Sequence, residues 1–212
     1  MTQQPRTRRS QEERTAETRV ALIDAAIAVI HELGYAAAST TLIAERAGVS
    51  RGAILHQFGT RAALMAEVVA EVYRREMAIY TDLVVQGQNG KNIHDWPKIL
   101  MSVLGQPSGI AVLDILQASQ SDNELTQSVR NRQADVEAAA LETMRADLGG
   151  SKETALAAMR LMVWAVRGLS IANRVMPEGI DMDTPVALLS GLLKMAAPGG
   201  KVDELEPLAA RS

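Results

Sequence analysis

From residue 14 the chain takes up a helical rhythm. Leu22, Ala26, Val29 and Leu33 recur at i, i+4, i+7 and i+11, and Ile23, Ile27 and Ile30 widen the stripe. That is the period of an amphipathic helix with one buried face. Gly34 stops it. Ser39 offers a capping hydroxyl for a short helix over 40–47, which Gly48 ends. Ser50 opens a second short helix over 51–57. Gly59 and Thr60 break the pattern again, and Thr60 caps a long helix running from residue 61 to about 82. The polar run 86–91 reads as a loop. Helical stretches follow over 93–104, 109–119 and 123–148. Gly149 and Gly150 separate these from a long apolar helix over 152–175, which Pro177 and Gly179 end. A last helix covers 184–197, and Pro198-Gly199-Gly200 opens a tail expected to fray. No stretch alternates with the period of a strand, and no segment repeats. The pattern predicts an all-α fold of about nine helices.

Composition supports this. The chain has 212 residues, 47% of them hydrophobic and 3% aromatic, so the core must be aliphatic. Alanine and leucine favour helix. Mean hydropathy is zero, an ordinary value for a water-soluble domain. The chain holds no cysteine, so disulfides and thiolate metal sites are excluded. The polar N-terminus lacks the apolar segment of a signal peptide. No uninterrupted apolar run has the length of a bilayer span. The expectation is a cytoplasmic protein without a membrane partner. Net charge is −3, which argues against indiscriminate coating of nucleic acid. Residues 1–61 hold eight arginines and six acids, a surplus of +2, which leaves −5 on the remainder.

Two short helices joined by a tight glycine turn and braced by a third form a unit that lays its second helix in the major groove of DNA. Ile43, Ala44 and Ala47 give the first helix a small inner face. Gly48 and Val49 make the turn, and Ala53, Ile54 and Phe58 face inward from the second. Ser50, Arg51, Gly52, Leu55, His56 and Gln57 are left outward or at the helix ends. Ser50 and Gly52 put backbone N–H groups at a helix N-terminus, where a phosphate is attracted. Arg51 can bond guanine bidentately or hold a phosphate. His56 and Gln57 can donate to phosphates or base edges. Arg61 is placed to anchor the flanking backbone, and Thr40 and Thr41 to reach the opposite phosphates. Arg6, Arg8 and Arg9 read either as a solvated tail or as an arm into the minor groove.

These residues have a familiar order. Gly34-Tyr35, Ser39, the run from Ile43 to Gly52, Phe58 and Arg61 closely resemble the N-terminal signature of TetR-type regulators over about residues 18–67. The chain departs from it at Leu55, where the family often has a phosphate-touching tyrosine, and at Arg61, where it often has lysine. The resemblance implies a disordered arm (1–13), a three-helix helix-turn-helix DNA-binding domain (14–61), a larger helical effector-binding and dimerisation domain (62–198) and a flexible tail (199–212). It implies a transcriptional repressor that binds a palindromic double-stranded DNA operator as a homodimer and is released by a small-molecule effector.

One short reading helix makes too little contact for an operator, so a dimer surface is needed. The last two long helices offer one in Leu161, Ala165, Gly168 and Leu169 with Val186, Leu189, Leu192 and Leu193, with Met162, Trp164 and Met195 beside them. Two helices from each copy would make a four-helix interface; the bland alternative is an internal core. The middle helices would enclose the effector. Trp96, Leu100, Met101, Leu104, Ile115, Met162 and Trp164 are its candidate wall, with Leu116 and Met144 nearby. His94, Asp114, Gln117, Arg167 and Asn173 are its candidate polar contacts. Few aromatics in the chain favour an aliphatic or lipid-like effector over a planar cation.

An enzyme is disfavoured. His31, His56 and His94 are scattered, no nucleophile–base arrangement or phosphate loop occurs, and no catalytic residue, cofactor or metal is expected. A helical scaffold is the other alternative, but the capped reading helix is surplus to that role.

Overall fold

A computed structural model of the chain describes residues 11–87, 90–176 and 181–210. The arginines expected to form a tail or arm (Arg6, Arg8, Arg9), and Pro177 and Gly179, lie outside them. Ten α-helices are described: α1 (Gln11–Leu33), α2 (Thr40–Arg46), α3 (Arg51–Phe58), α4 (Arg61–Gly87), α5 (Trp96–Leu104), α6 (Pro107–Ser119), α7 (Asn123–Leu148), α8 (Lys152–Val175), α9 (Asp183–Ala196) and α10 (Glu206–Ala209). Short 3-10 turns precede α2, α5 and α10. No strand occurs among the described residues.

Two of the three expected caps, Ser39 and Thr60, bond as expected, Ser50 does not, and Ser151 and Asp122 act as further caps. The Ser39, Thr60 and Ser151 hydroxyls accept from the backbone N–H groups of Leu42, Ala63 and Thr154. The Asp122 carboxylate accepts from Leu125 in the same way. Each satisfies an orphan donor at a helix start.

Two apolar cores stack along α4. The first is closed by α1, α2, α3, the front half of α4, α6 and the start of α7, around Leu22, Ile30, Ile43, Ile54, Leu64, Val68 and Ile115. The second gathers α5, α7, α8 and α9 around Trp96, Leu100, Met144, Met159 and Met162. An apolar stripe runs down one face of α4 (Leu64, Met65, Val68, Val69, Val72, Tyr73, Tyr80), so this helix serves both cores. Residues 14–61 therefore do not close a core alone; α4, α6 and α7 complete it.

Polar ties fasten α7 to α4 along their length. Glu124 accepts from the Thr60 hydroxyl at 2.9 Å. Arg132 pairs with Glu67 at 3.1 Å, and Glu67 also pairs with Arg19 of α1. The Tyr73 hydroxyl donates to the Gln133 side chain.

The chain differs from expectation in three places: α1 begins at Gln11, inside the stretch expected to be disordered over 1–13, and the end of α4 and the tail also depart from it. Helix α4 continues through Gly87, past the expected end at 82. Residues 199–210 are folded rather than frayed. Gly200, at φ +79°, turns the chain so that its carbonyl accepts from Ile93 N–H at 2.8 Å. Glu204 accepts from the backbone of Gly199 and Lys201, and Val202 and Leu205 are buried in the second core. By length and composition α8 is apolar enough to cross a membrane, although Arg160 and Arg167 interrupt its apolar run. Here its Met159, Met162 and Val166 pack into the second core and its Arg160 and Arg167 are ion-paired.

Candidate functional site

Helices α2 and α3 meet through a turn with two characteristic bonds. Gly48 N–H donates to Glu45 C=O and Val49 N–H to Ala44 C=O, each at 3.0 Å. This is a Schellman closure, and it requires the left-handed backbone that Gly48 adopts at φ +67°. Ile54 is the buried residue of α3 that anchors it, with Ala53 and Phe58 packed beside it. The rest of α3 faces out. Ser50, Arg51, Gly52, Leu55 and His56 are all exposed. Ser50 caps α3 through backbone geometry, and its hydroxyl makes no capping bond. Arg51 has no ion pair among the described residues. Leu55 is 64% exposed, an unusual cost for a leucine with nothing to cover it. Arg51 and Leu55 lie one turn apart on a single face of α3. Thr41 is exposed and Thr40 half-buried at the start of α2.

Two residues expected on this surface are turned inward. The Arg61 guanidinium donates to Ala38 C=O at 3.0 Å, Tyr35 C=O at 2.9 Å and the Tyr35 hydroxyl at 2.8 Å. It also lies over the Tyr35 ring, 4.1 Å from its centre. Arg61 thus clamps the start of α4 to the turn before α2, with its fork of donors spent within the protein. Gln57 is half-buried, and its amide donates to Thr15 C=O at 3.4 Å, at the floor of a polar cleft between α1, α4 and α7. Sequence position put both residues near the surface. Only the packing of α1 and the turn before α2 shows which way they point.

Behind the head lies a cavity of about 130 Å³ walled by α4, α5, α7 and α8. Of its expected wall, Trp96, Leu100, Leu104 and Trp164 are present. Ile115 is instead fully buried in the first core, because α6 lies across α1. Met162 is sealed in the second core, and Met101 packs at its edge. Of the expected polar contacts, Arg167 lines the cavity while His94, Asp114, Gln117 and Asn173 do not. Sequence reasoning missed Tyr73, Glu76, Met77 and Tyr80, all from α4, because no motif marks them; their signal was the continuing stripe of α4.

The cavity holds one buried ion pair. Arg167 lies 3.9 Å from Glu76, donates to Gly109 C=O at 3.4 Å and sits 5.9 Å from the Tyr73 ring centre. Burial pushes the Glu76 carboxyl up to about 7, against the lowering pull of Arg167. Burial likewise raises the Tyr73 and Tyr80 hydroxyls to about 12. Glu76 Oε1 and the Tyr80 hydroxyl are buried without a hydrogen-bond partner. At the rim, Arg160 of α8 pairs with Glu137 of α7 at 2.6 Å.

The outer faces of α8 and α9 are apolar and uncovered. On α8, Leu161, Trp164, Gly168, Ile171 and Val175 are exposed at spacings of three and four; on α9, so are Leu188, Leu192 and Met195. Of the residues expected on this face, Ala165, Leu169 and Leu189 are half-buried at its edge. Val186 and Leu193 are buried within the protein, because α9 packs on α5 through that side.

Comparison with known proteins agrees with this architecture. The profile of bacterial regulatory proteins of the tetR family matches residues 22–68, which span the second half of α1, α2, α3 and the start of α4. An uncharacterised HTH-type transcriptional regulator of Mycobacterium tuberculosis is 29% identical over 189 residues, covering 87% of this chain and 97% of its own. A transcriptional regulator from Rhodococcus sp. Rha1 has a similar fold, with a TM-score of 0.64 at 19% identity over 85% of this chain and 96% of that one. The multidrug binding protein EbrR, solved with imidazole, has a TM-score of 0.55 at 21% identity over 82% of this chain and 93% of that one. The N-terminal helices thus match the tetR-type domain profile, and the whole chain, helical body included, has the fold of these solved regulators.

Proposed function

We propose that the chain is a repressor that binds a palindromic operator as a homodimer and leaves it when a small molecule fills the cavity behind the reading head. The observation that carries this is the outer face of α3. Arg51 is an exposed polar group at the bare N-terminus of a rigidly held helix and His56 is another in its last turn, a geometry by which such helices meet base edges and phosphates. Ser50, Gly52 and Thr41 supply neighbouring donors, and Leu55 suits the methyl group of thymine. Thr40, half-buried, reaches a phosphate only at its edge. Gln57 and Arg61 hold the head in place.

The exposed stripes on α8 and α9 support the dimer. Residues spaced three and four apart on one helix side form a seam that a second copy can cover, and apolar patches of this kind mark interfaces. Half-sites would then lie about one helical turn apart, ~34–36 Å. The cavity supports release. Its wall includes Tyr73, Glu76, Met77 and Tyr80 of α4, the helix whose first residue clamps the reading head. A ligand that fits one tilt of α4 better than another moves both heads. Taking the protein from mostly bound to mostly released needs a differential affinity of about 5 kcal/mol. The fold neighbour EbrR, a multidrug binding protein solved with imidazole, supports ligand-linked regulation.

The test is selection of genomic fragments by the purified full-length chain. The expected outcome is enrichment of an inverted repeat, occupied by two copies. Recovery of no fragment above background refutes the reading. Recovery of single, unrepeated sites bound by one copy refutes the dimer.

A further inference from the structure

We propose that the cavity between α4, α5, α7 and α8 takes an uncharged, single-ring aromatic molecule bearing one hydroxyl group; this rests on reading that cavity as the effector site. Size comes first. The volume is about 130 Å³, close to the ~150 Å³ that holds one benzene ring, so a single ring fills it. The wall comes next. The chain has six aromatic residues, and four of them (Tyr73, Tyr80, Trp96 and Trp164) meet at this cavity. Tyr80 and Trp96 are tilted at 53° with centres 5.3 Å apart, an arrangement that a further ring can extend edge to face. Low overall aromatic content thus misleads, because the rings are concentrated in one place.

Charge then narrows the class. The four charged residues at the wall are two cations and two carboxylates, already paired as Arg160–Glu137 and Arg167–Glu76. A charged ligand would enter an apolar space with no free counter-charge. The hydroxyl follows from the unmatched groups. Glu76 Oε1 and the Tyr80 hydroxyl have no partner, and a hydroxyl both donates and accepts. Oε1 lies against Gly109. The terminal torsion of glutamate is soft, so a turn of the carboxyl offers an oxygen to the ligand.

Calorimetric titration of the full chain at neutral pH with phenol, benzene, benzoate and benzylammonium tests this. Phenol should bind roughly tenfold more tightly than benzene, the worth of one good hydrogen bond, and more tightly than either ion. The paired variant Glu76→Leu with Arg167→Met should keep benzene binding and lose the preference for phenol. If that variant does not fold, the ranking in the unaltered protein decides alone. Equal binding of phenol and benzene overturns the hydroxyl assignment. Tighter binding of benzoate or benzylammonium overturns the charge argument. Binding of none of the four overturns the inference, and a gel shift on the same preparation separates that failure from loss of DNA binding.

Discussion

Replacing Arg61 by alanine separates a structural clamp from a DNA contact. The substitution removes three hydrogen bonds from a charged donor, to Ala38 C=O, Tyr35 C=O and the Tyr35 hydroxyl, together with stacking on the Tyr35 ring. At about 1 kcal/mol net for each bond of a half-exposed group and ~0.5–1 kcal/mol for the ring contact, the gross loss is near 4 kcal/mol. Water can replace part of the bonding to Tyr35, which is half-buried, but Ala38 is fully buried and its carbonyl would be stranded. The expected destabilisation is roughly 2–4 kcal/mol, a fall in melting temperature of about 5–15 °C for a chain of this size. Circular dichroism melts measure it. The salt dependence of DNA affinity should keep its slope, because no phosphate contact is lost. An unchanged melting temperature with a slope shallower by ~2 per dimer, one phosphate per copy, would refute the clamp.

Glu76 gives a pH signature. Its carboxyl is held at about 7 in the folded chain against an ordinary 4.5, so its contribution is complete below about 4.5 and is lost as pH rises through 7. That difference of 2.5 corresponds to up to about 3 kcal/mol; melts between pH 5.5 and 8.5 should show stability falling with pH, and Glu76→Gln should flatten the trend, whereas identical trends would contradict the burial argument. Ending the chain after Pro198 removes Val202 and Leu205 from the second core and should cost roughly 3–6 kcal/mol by thermal melt; an unchanged melt would mean that the tail is frayed after all. Leu161→Glu with Leu192→Glu places charges on the exposed stripes without touching either core, and should convert dimer to monomer in sedimentation with an unaltered melt of secondary structure; a persistent dimer would place the interface elsewhere.

The fold was largely legible because local signals agreed with one another. Serine and threonine caps, glycine stops and 3.6-residue stripes fix where a helix begins and ends, and α7 and α8 fall on their expected spans. What the pattern could not give is direction in space. Ile115 and Trp96 both lie on apolar stripes, yet one faces the reading head's core and the other the cavity, a choice made by how α6 crosses α1. The tail was misread for a related reason: Pro198-Gly199-Gly200 signals a break, and the burial of Val202 that follows depends on a surface built by α7 and α8. Within the candidate site, the turn at Gly48 and the exposed positions Ser50, Arg51, Gly52, Leu55 and His56 were readable. The inward roles of Arg61 and Gln57 were not, since both depend on partners many residues away.

The most direct measurement of the central claim is a gel-shift titration of the unaltered chain and Arg51→Ala against the selected operator and against random DNA. The unaltered chain is expected to prefer the operator, with affinity falling steeply as salt rises. Arg51→Ala should either relax selectivity at one base pair by ~1–3 kcal/mol, if Arg51 reads guanine, or weaken binding to all DNA with a shallower salt slope, if it holds a phosphate. Equal affinity of both proteins for both DNAs would contradict the assignment of α3 as the helix that reads DNA.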